Sequence, residues 1–203
     1  MTLTNDFIVI GLTGQSGAGK STVTEVFSKY SVAVVDADSL AHKALKTEKC
    51  KDNLRAAFGD SIFGEDGEVV RKALAKAAFS SKENTNKLNQ ATHPVITELS
   101  KDAFDKAKSE GFKAVIFDAP TLFESGLHSI CAFVISVIAD KDMRAKRIMQ
   151  RDNLSFDEAM QRLNAQHDDE FYTKKSRYVI KNDGTKEELY KKAEMICEEL
   201  FHE

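Results

Sequence analysis

The fold is decided by the stretch FIVIGLTGQSGAGKST, residues 7–22. Its first seven residues form an apolar run that predicts a buried strand, and the next eight match G-x-x-x-x-G-K-[ST] at every fixed position. Apolar side chains then recur at helical spacing at Val23, Val26, Phe27 and Tyr30, so we expect a helix to begin at Lys20. A strand, a glycine-rich loop and a helix in this order predict a loop that binds phosphate groups.

Each part of this loop has a predicted role at a bound nucleotide. Glycines let the backbone curl so that successive N–H groups point at phosphate oxygens, and the helix N-terminus adds partial positive charge. We expect the Lys20 ammonium to reach the β- and γ-phosphates and the Ser21 hydroxyl to bind Mg²⁺. The predicted nucleotide contacts in this segment are Gly14, Gln15, Ser16, Gly17, Ala18, Gly19, Lys20, Ser21 and Thr22.

Four more apolar runs predict the remaining strands, over residues 32–35, 114–117, 132–139 and 178–180. Segments of helical period separate them, which is typical of a parallel sheet covered on both faces. We therefore expect an α/β fold of the P-loop NTPase type, with five parallel strands flanked by helices. No linker composition divides the chain, so residues 1–203 are predicted to be a single domain.

The long interval between the second and third strands predicts a helical insertion, approximately residues 39–110. We expect it to overhang the carboxyl ends of the strands, where ligands bind, and to hold the molecule that accepts a phosphate group from the nucleotide. Its last helix is expected to begin near Thr92, His93 and Pro94, because threonine can cap a helix and proline is tolerated in the first turn. A basic lid is predicted over approximately residues 140–177.

Composition excludes several classes of protein. With 203 residues and a formal net charge of −3, the chain has no basic field of the kind that attracts nucleic acid or anionic membranes. Neither partner is therefore expected, and no oligomer is implied. The three cysteines Cys50, Cys131 and Cys197 are far apart in the sequence, which favours reduced thiols in or near the core and a cytoplasmic protein.

Carboxylates follow two of the predicted strands. Asp36-Ala37-Asp38 ends the second strand, where one carboxylate could accept the proton of an acceptor hydroxyl or could cap a helix over Ser39–Leu45. Asp118 closes the apolar run 114–117, and it is either a partner of Mg²⁺ or a structural carboxylate. Both interpretations remain open at each position.

Three arginines, Arg144, Arg147 and Arg151, are spaced for one face of a helix after the fourth strand. Asp140 is the expected partner of Arg144, whereas Arg147 and Arg151 have no acidic residue three or four positions away. Such arginines are either a clamp on phosphate charge or a solvated basic face. The predicted lid continues this basic character with Arg162, Lys174, Lys175 and Arg177.

Beyond the glycine loop, the chain resembles the dephospho-coenzyme A kinase family over nearly its whole length. The matching motifs are Asp36-Ala37-Asp38, Asp66-Gly67 with Arg71 and Leu74, His93-Pro94 with Ile96, Asp118-Ala119-Pro120 with Leu122-Phe123-Glu124, Gln150-Arg151-Asp152, Arg162 with Gln166, and Asn182-Asp183-Gly184. The resemblance implies transfer of the γ-phosphate of ATP, with Mg²⁺, to the ribose 3′-hydroxyl of dephospho-coenzyme A, the last step of coenzyme A synthesis.

The resemblance also implies residue roles. Asp38 is expected to be the general base, Lys20 and Arg147 the clamp on the transition state, and Arg151 and Asn182 contacts of the nucleotide, with Asn182 near the adenine. The expected acceptor contacts are Arg71, His93, Phe123 and Glu124. Another P-loop nucleoside or nucleoside-monophosphate kinase is the alternative enzyme, and a nucleotide-binding regulatory protein is the alternative without catalysis.

Overall fold

The structure is a computed structural model that describes residues 7–201. Its strands are β1 (Ile8–Gly14), β2 (Val32–Asp36), β3 (Ala114–Asp118), β4 (Phe133–Ile138) and β5 (Tyr178–Lys181). Its α-helices are α1 (Lys20–Ser28), α2 (Ala37–Ala44), α3 (Glu48–Phe58), α4 (Arg71–Ala78), α5 (Lys82–Ser109), α6 (Lys141–Asp152), α7 (Phe156–Asn164), α8 (Asp169–Thr173) and α9 (Lys186–Phe201). The predicted strands, and the helix that begins at Lys20, are confirmed.

The strands form one sheet in the order β2-β3-β1-β4-β5. Strand β1 pairs in parallel with β3 and β4, and β4 pairs in parallel with β5. In this register Leu12 lies beside Asp118 and Gly14 beside Val137. The glycine-rich loop therefore leaves the central strand at the carboxyl edge of the sheet, where ligands bind in open α/β folds.

Helices α1 and α9 pack together against the sheet and close its main core. The side chains of Val23, Val26 and Phe27 on α1 are buried, and Phe27 meets Phe201 of α9 edge to face at 6.3 Å between ring centroids. Burying a large apolar side chain of this kind contributes roughly 1.5–3 kcal/mol. This packing anchors the helix that begins at the end of the glycine-rich loop.

The described chain divides into two compact units, residues 7–35 with 106–201 and residues Asp36–Asp105. The second unit overlaps most of the predicted helical insertion, residues 39–110. That the whole chain acts as a single domain with an acceptor-binding insertion and a lid stays a prediction.

The predicted start of the last insertion helix is wrong. Helix α5 begins at Lys82, ten residues before Thr92, and Pro94 lies inside it. The Thr92 hydroxyl donates to the carbonyl oxygen of Leu88 at 2.9 Å instead of capping a helix start. A proline inside a helix costs one hydrogen bond, and the apolar side chains of Ala91, Val95 and Ile96 are buried around it. Tertiary packing has overridden a local start signal.

Helices α6 and α7 pack through a small separate cluster of Ala145, Ile148, Ala159 and Leu163. Ser155 begins α7 with a capping box, in which its hydroxyl accepts from the Glu158 N–H and the Glu158 carboxylate accepts from the Ser155 N–H. This helix pair is the first part of the segment predicted to be a lid, approximately residues 140–177.

The three cysteines are free, as predicted. Cys50 and Cys197 are buried and Cys131 is half-buried. Burial raises the pKa of the Cys131 and Cys197 thiols to about 12, so both are neutral thiols near neutral pH. Within residues 7–201, no helix is both long enough and apolar enough to cross a membrane.

Candidate active site

The glycine-rich loop is packed against two neighbouring segments. A Cβ on Gly17 would lie 2.9 Å from the carbonyl oxygen of Arg144, and one on Gly19 would lie 2.7 Å from the amide nitrogen of Asn182. Both glycines also have positive φ, at 77° and 106°. The Asn182 amide donates to the carbonyl oxygen of Ala18 at 2.7 Å. The loop conformation therefore depends on glycine and on the side chain that follows β5.

A cavity of about 450 Å³ opens above this loop, and we call it the phosphate-loop cavity. Its lining residues are Gly14, Gln15, Ser16, Gly17, Gly19, Lys20, Ser21, Asp118, Pro120, Arg147, Arg151, Arg162 and Gln166. The structure thus brings together the predicted lysine, both predicted partners of Mg²⁺ and two of the predicted arginines. Their elements converge because β1 and β3 are neighbours and end at the same edge of the sheet.

Arg147 reaches the loop from the middle of α6. Its Nη1 atom donates to the carbonyl oxygens of Gly17 and Asn182, each at 3.3 Å, and Nη2 donates to Asn182 at 3.3 Å. Main-chain carbonyls orient the guanidinium without neutralising its charge. Arg147 is therefore a fixed cation at the wall of the phosphate-loop cavity.

The expected pairing of Arg144 with Asp140 is wrong. The Asp140 carboxylate caps α6 by accepting from the N–H groups of Asp142 and Met143. Arg144 is only 5% exposed and donates instead to the Ala139 carbonyl at 2.9 Å and to Oε1 of Gln166 at 3.3 Å. Burial lowers the pKa of Arg144, although the nearby Asp169 charge opposes this shift. A capping site competes for Asp140 because helix ends leave N–H groups unsatisfied.

The expectation that Arg151 lacks an acidic partner is also wrong. The Asp152 carboxylate accepts two hydrogen bonds from Arg151, at 2.7 and 2.8 Å, and one from Arg162 at 2.6 Å. The hydrogen bond from Arg151, with the charges of both arginines, lowers the pKa of Asp152 to about 2. Helical spacing misses this pair because α6 ends at Asp152, where adjacent residues can meet.

The other basic residues of the predicted lid also have partners. Lys174 forms an ion pair with Glu170 at 2.5 Å. Lys175 lies over the ring of Phe171, 3.9 Å from its centroid, and Arg177 lies over Phe133 at 4.9 Å. These three residues are absent from the lining of the phosphate-loop cavity.

At the end of β2, the two aspartates have different environments. Helix α2 begins at Ala37, two residues before the predicted start, and Asp36 is its cap, accepting from the Asp38 N–H at 3.0 Å. The Asp38 side chain stands in the first turn of α2 and is exposed. The capping interpretation thus applies to Asp36 and leaves the Asp38 carboxylate available for chemistry.

The predicted acceptor residues occur in both units. In the second unit, Arg71 is the first residue of α4, and His93 lies inside α5. The Nε2 atom of His93 is buried, and it has no hydrogen-bond partner among the described residues. In the first unit, Phe123 is 7% exposed and packs edge to face on Phe171 at 5.8 Å. Glu124 lies 3.6 Å from Nε2 of His167.

Gln166, Arg162 and Pro120 line the phosphate-loop cavity but were not predicted site residues. Gln166 lies in the connector between α7 and α8 and belongs to the matching motif of Arg162 with Gln166, but its neutral side chain gave no reason to assign it a role. Arg162 was interpreted as part of a basic lid and, with Gln166, as a motif of the family, without a role at the cavity. Its pairing with Asp152 spans ten positions, which no helical pattern indicates.

The parallel sheet, the glycine-rich loop at the end of its central strand and the cations around the cavity define a P-loop kinase. The model of the dephospho-CoA kinase family matches residues 8–188. The chain therefore belongs to the dephospho-CoA kinase family, and it is an enzyme that phosphorylates dephospho-coenzyme A with ATP in the last step of coenzyme A synthesis.

Individual proteins are similar to this chain over nearly its whole length. A dephospho-CoA kinase of Fusobacterium nucleatum is 34% identical over 193 residues, which cover 95% of this chain and 98% of that protein. A solved protein of Thermus thermophilus has a TM-score of 0.78 and 31% identity, covering 96% of this chain and 98% of that one. The dephospho-CoA kinase of Campylobacter jejuni has a TM-score of 0.56 and 27% identity, covering 94% and 96%.

Proposed function

We propose that the chain transfers the γ-phosphoryl group of ATP to the ribose 3′-hydroxyl of dephospho-coenzyme A, and that the phosphate-loop cavity holds the polyphosphate chain. One observation carries this proposal: Lys20, Arg147 and the loop line a single cavity at the end of β1. Phosphoryl transfer needs positioning and charge stabilisation more than covalent help from the protein. Fixed cations and backbone N–H groups supply both.

On the nucleotide side, the loop N–H groups and Lys20 bind the β- and γ-phosphates. Arg147 adds positive charge where negative charge develops on the transferring group. Arg151 and Arg162 complete the cationic wall, and their charge is partly balanced by Asp152. Asn182 holds the loop through Ala18, and the segment that follows it is the proposed adenine contact.

Mg²⁺ is part of the proposal, with Ser21 and Asp118 as the residues that would hold it. The donor set fits this ion, because a hydroxyl and a carboxylate in one cavity are hard oxygen ligands and leave room for phosphates and waters. When bound, the ion supplies charge neutralisation at the phosphate oxygens.

On the acceptor side, Asp38 takes the proton of the 3′-hydroxyl. The hydroxyl oxygen forms a bond to the γ-phosphorus while the bond from that phosphorus to the bridging oxygen breaks, and ADP leaves. Arg71, His93, Phe123 and Glu124 are the proposed contacts of the acceptor. The buried Nε2 atom of His93 supports this role, since buried polar atoms without a partner are uncommon in folded proteins.

The predicted cytoplasmic location stays a prediction.

The test measures ADP release from Mg-ATP with dephospho-coenzyme A, adenosine, uridine and AMP as separate acceptors. We expect turnover with dephospho-coenzyme A alone, and we expect ³¹P and ¹H NMR of the product to place the new phosphate on the ribose 3′-oxygen. Preference for a nucleoside or for AMP, or a phosphate on another oxygen, would contradict the proposal. Binding of ATP without turnover on any of the four acceptors would indicate a regulatory protein.

A further inference from the structure

Two glutamine side chains cross in opposite directions between the glycine-rich loop and the connector that joins α7 to α8. From the connector, Oε1 of Gln166 accepts a hydrogen bond from the Ser16 N–H at 3.0 Å and another from Nη1 of Arg144 at 3.3 Å. Both neighbours are donors, so the amide oxygen faces them and its orientation is determined. Gln166 thus joins the loop to a buried arginine on α6.

From the loop, the Gln15 side chain makes the return connection. It is 1% exposed, and its Nε2 atom donates to Oδ1 of Asp169 at 2.8 Å and to the His167 carbonyl at 3.4 Å. Its Oε1 atom accepts from the Ala139 N–H at 3.3 Å. Every polar atom of this buried amide has a partner. A buried polar network that is fully hydrogen-bonded in this way holds its side chains in one conformation.

Arg144 connects the two glutamines. Its Nε atom donates to the Ala139 carbonyl at 2.9 Å, and the N–H of Ala139 donates to Oε1 of Gln15 at 3.3 Å. The loop, the start of α6 and the α7–α8 connector are therefore held by one continuous set of hydrogen bonds. The connector lies within the predicted lid, between α7 and α8.

We infer that Gln166 is a positioning residue of the phosphate loop, which sets the affinity of the cavity for a polyphosphate chain by holding the loop in place at Ser16. This inference rests on the proposed role of the cavity in binding ATP. N–H groups that converge on one cavity repel one another, so the loop needs an external acceptor to keep them aligned. A neutral amide supplies that acceptor without placing negative charge beside the phosphates.

The test compares Gln166→Met, which removes the acceptor at similar size, with Gln166→Glu, which keeps both accepted hydrogen bonds but adds a negative charge. Gln161→Met is the matched control, since Gln161 is exposed on α7. Inorganic tripolyphosphate binding is measured by calorimetry, adenosine binding by saturation-transfer NMR, and folding by thermal melting, all on the full chain.

We expect Gln166→Met to bind tripolyphosphate about ten-fold or more weakly, the order of loss that one unsatisfied buried hydrogen-bonding group produces. We expect a similar loss in Gln166→Glu for a different reason, because its carboxylate places negative charge beside the phosphates. Adenosine affinity should stay within about two-fold, and Gln166→Glu should melt near the wild-type temperature because its hydrogen bonds survive. Gln161→Met should match the wild type in all three measurements.

Unchanged tripolyphosphate affinity in either folded variant would overturn the inference, and so would equal losses for tripolyphosphate and adenosine. If Gln166→Met does not fold, Gln166→Ala, which also removes the acceptor, decides by the same criterion. No substrate that could receive a phosphoryl group is present in these measurements, so they are independent of the proposed reaction. If the Gln166 variants lose tripolyphosphate binding and the wild-type protein fails to phosphorylate dephospho-coenzyme A, the inference about Gln166 holds and only the proposed function is contradicted.

Discussion

The carboxylate of Asp152 holds Arg162 at 2.6 Å and Arg151 at 2.7 Å, so one acidic side chain joins two arginines of the phosphate-loop cavity. Arg151 and Asp152 stand at the end of α6, and Arg162 stands on α7. Without the carboxylate, two guanidinium groups that share one partner would repel each other. Asp152 therefore sets where the charges of the predicted lid are placed.

Asp152→Asn should reduce stability in a pH-dependent way. The hydrogen bond and charge of Arg151 lower the pKa of Asp152 from 3.8 to about 2. A carboxyl whose pKa is lower in the folded state stabilises above its unfolded pKa and loses this contribution as pH falls through the folded value. The difference in free energy of unfolding between wild type and variant should be constant near neutral pH and should shrink as pH falls from about 4 towards 2.

Urea unfolding at a series of pH values measures this difference. Asp102→Asn is the control, because Asp102 is exposed on α5, and it should show a smaller and flatter difference. A gap between wild type and Asp152→Asn that persists undiminished to the lowest pH would show that the ion pairs do not contribute as described.

Most of the fold could be predicted from local patterns, because buried parallel strands are short apolar runs and the glycine loop has fixed positions. Lys20, Ser21, Asp118 and Arg147 were selected on this basis, and all of them line the phosphate-loop cavity. Their proposed roles were assigned from residue type and from their places in the glycine-rich loop, at a strand end and on a predicted helix.

Long-range polar pairing could not be predicted in the same way. Asp140 has a capping position available to it, so it does not pair with Arg144, and Gln166 takes that role from 22 positions away. The start of α5 was missed for a related reason: Thr92 and Pro94 resemble a helix start, while burial of the surrounding apolar residues continues the helix through them.

Lys20→Ala should fold and nearly abolish turnover. In the proposed reaction the ammonium stabilises the transferring group, so its loss should lower kcat by roughly 10²- to 10³-fold, the range found for removal of one preorganised charge-stabilising donor. Steady-state ADP formation measured beside thermal melting checks this. Lys146→Ala, on the exposed face of α6, is the control with expected wild-type turnover. Near-normal turnover in a folded Lys20→Ala protein would contradict the role of the phosphate loop.

Arg147→Ala should lower kcat more than it weakens ATP binding. Arg147 is held by the Gly17 and Asn182 carbonyls and keeps its full charge for the transition state, so we expect a loss in kcat of about 10²-fold. The KM for ATP should change by less than about three-fold. Steady-state kinetics with both substrates varied gives the two values. A loss confined to KM for ATP would reassign Arg147 to ground-state binding.

Arg144→Ala should act mainly on stability. Its guanidinium is buried and donates to Ala139 and Gln166. Removing it takes a donor from the buried carbonyl oxygen of Ala139, at a cost of about 1–3 kcal/mol in the free energy of unfolding. Urea denaturation measures this cost, and Lys146→Ala again serves as the control. An unfolding free energy equal to that of the wild type would show that the buried contacts of Arg144 are not stabilising.

Asp38→Asn is the sharpest test of the chemistry, because Asp38 stands beside a capping aspartate and has a different predicted role. As the group that takes the 3′-hydroxyl proton, it loses its charge in the asparagine variant while shape is preserved. We therefore expect kcat to fall by roughly 10²- to 10⁴-fold, as for general acid–base catalysis, with little change in Mg-ATP affinity. Steady-state rates and calorimetric titration of Mg-ATP measure the two quantities.

The matched control is Asp36→Asn, which replaces the cap that accepts from the Asp38 N–H. Asparagine caps a helix nearly as well as aspartate, so this variant should keep both its melting temperature and its turnover. Retained turnover in Asp38→Asn would eliminate the general base, because a neutral amide cannot accept the hydroxyl proton. Lost Mg-ATP binding in the same variant would instead place Asp38 with the metal, since only a role on the nucleotide side makes donor affinity depend on this carboxylate.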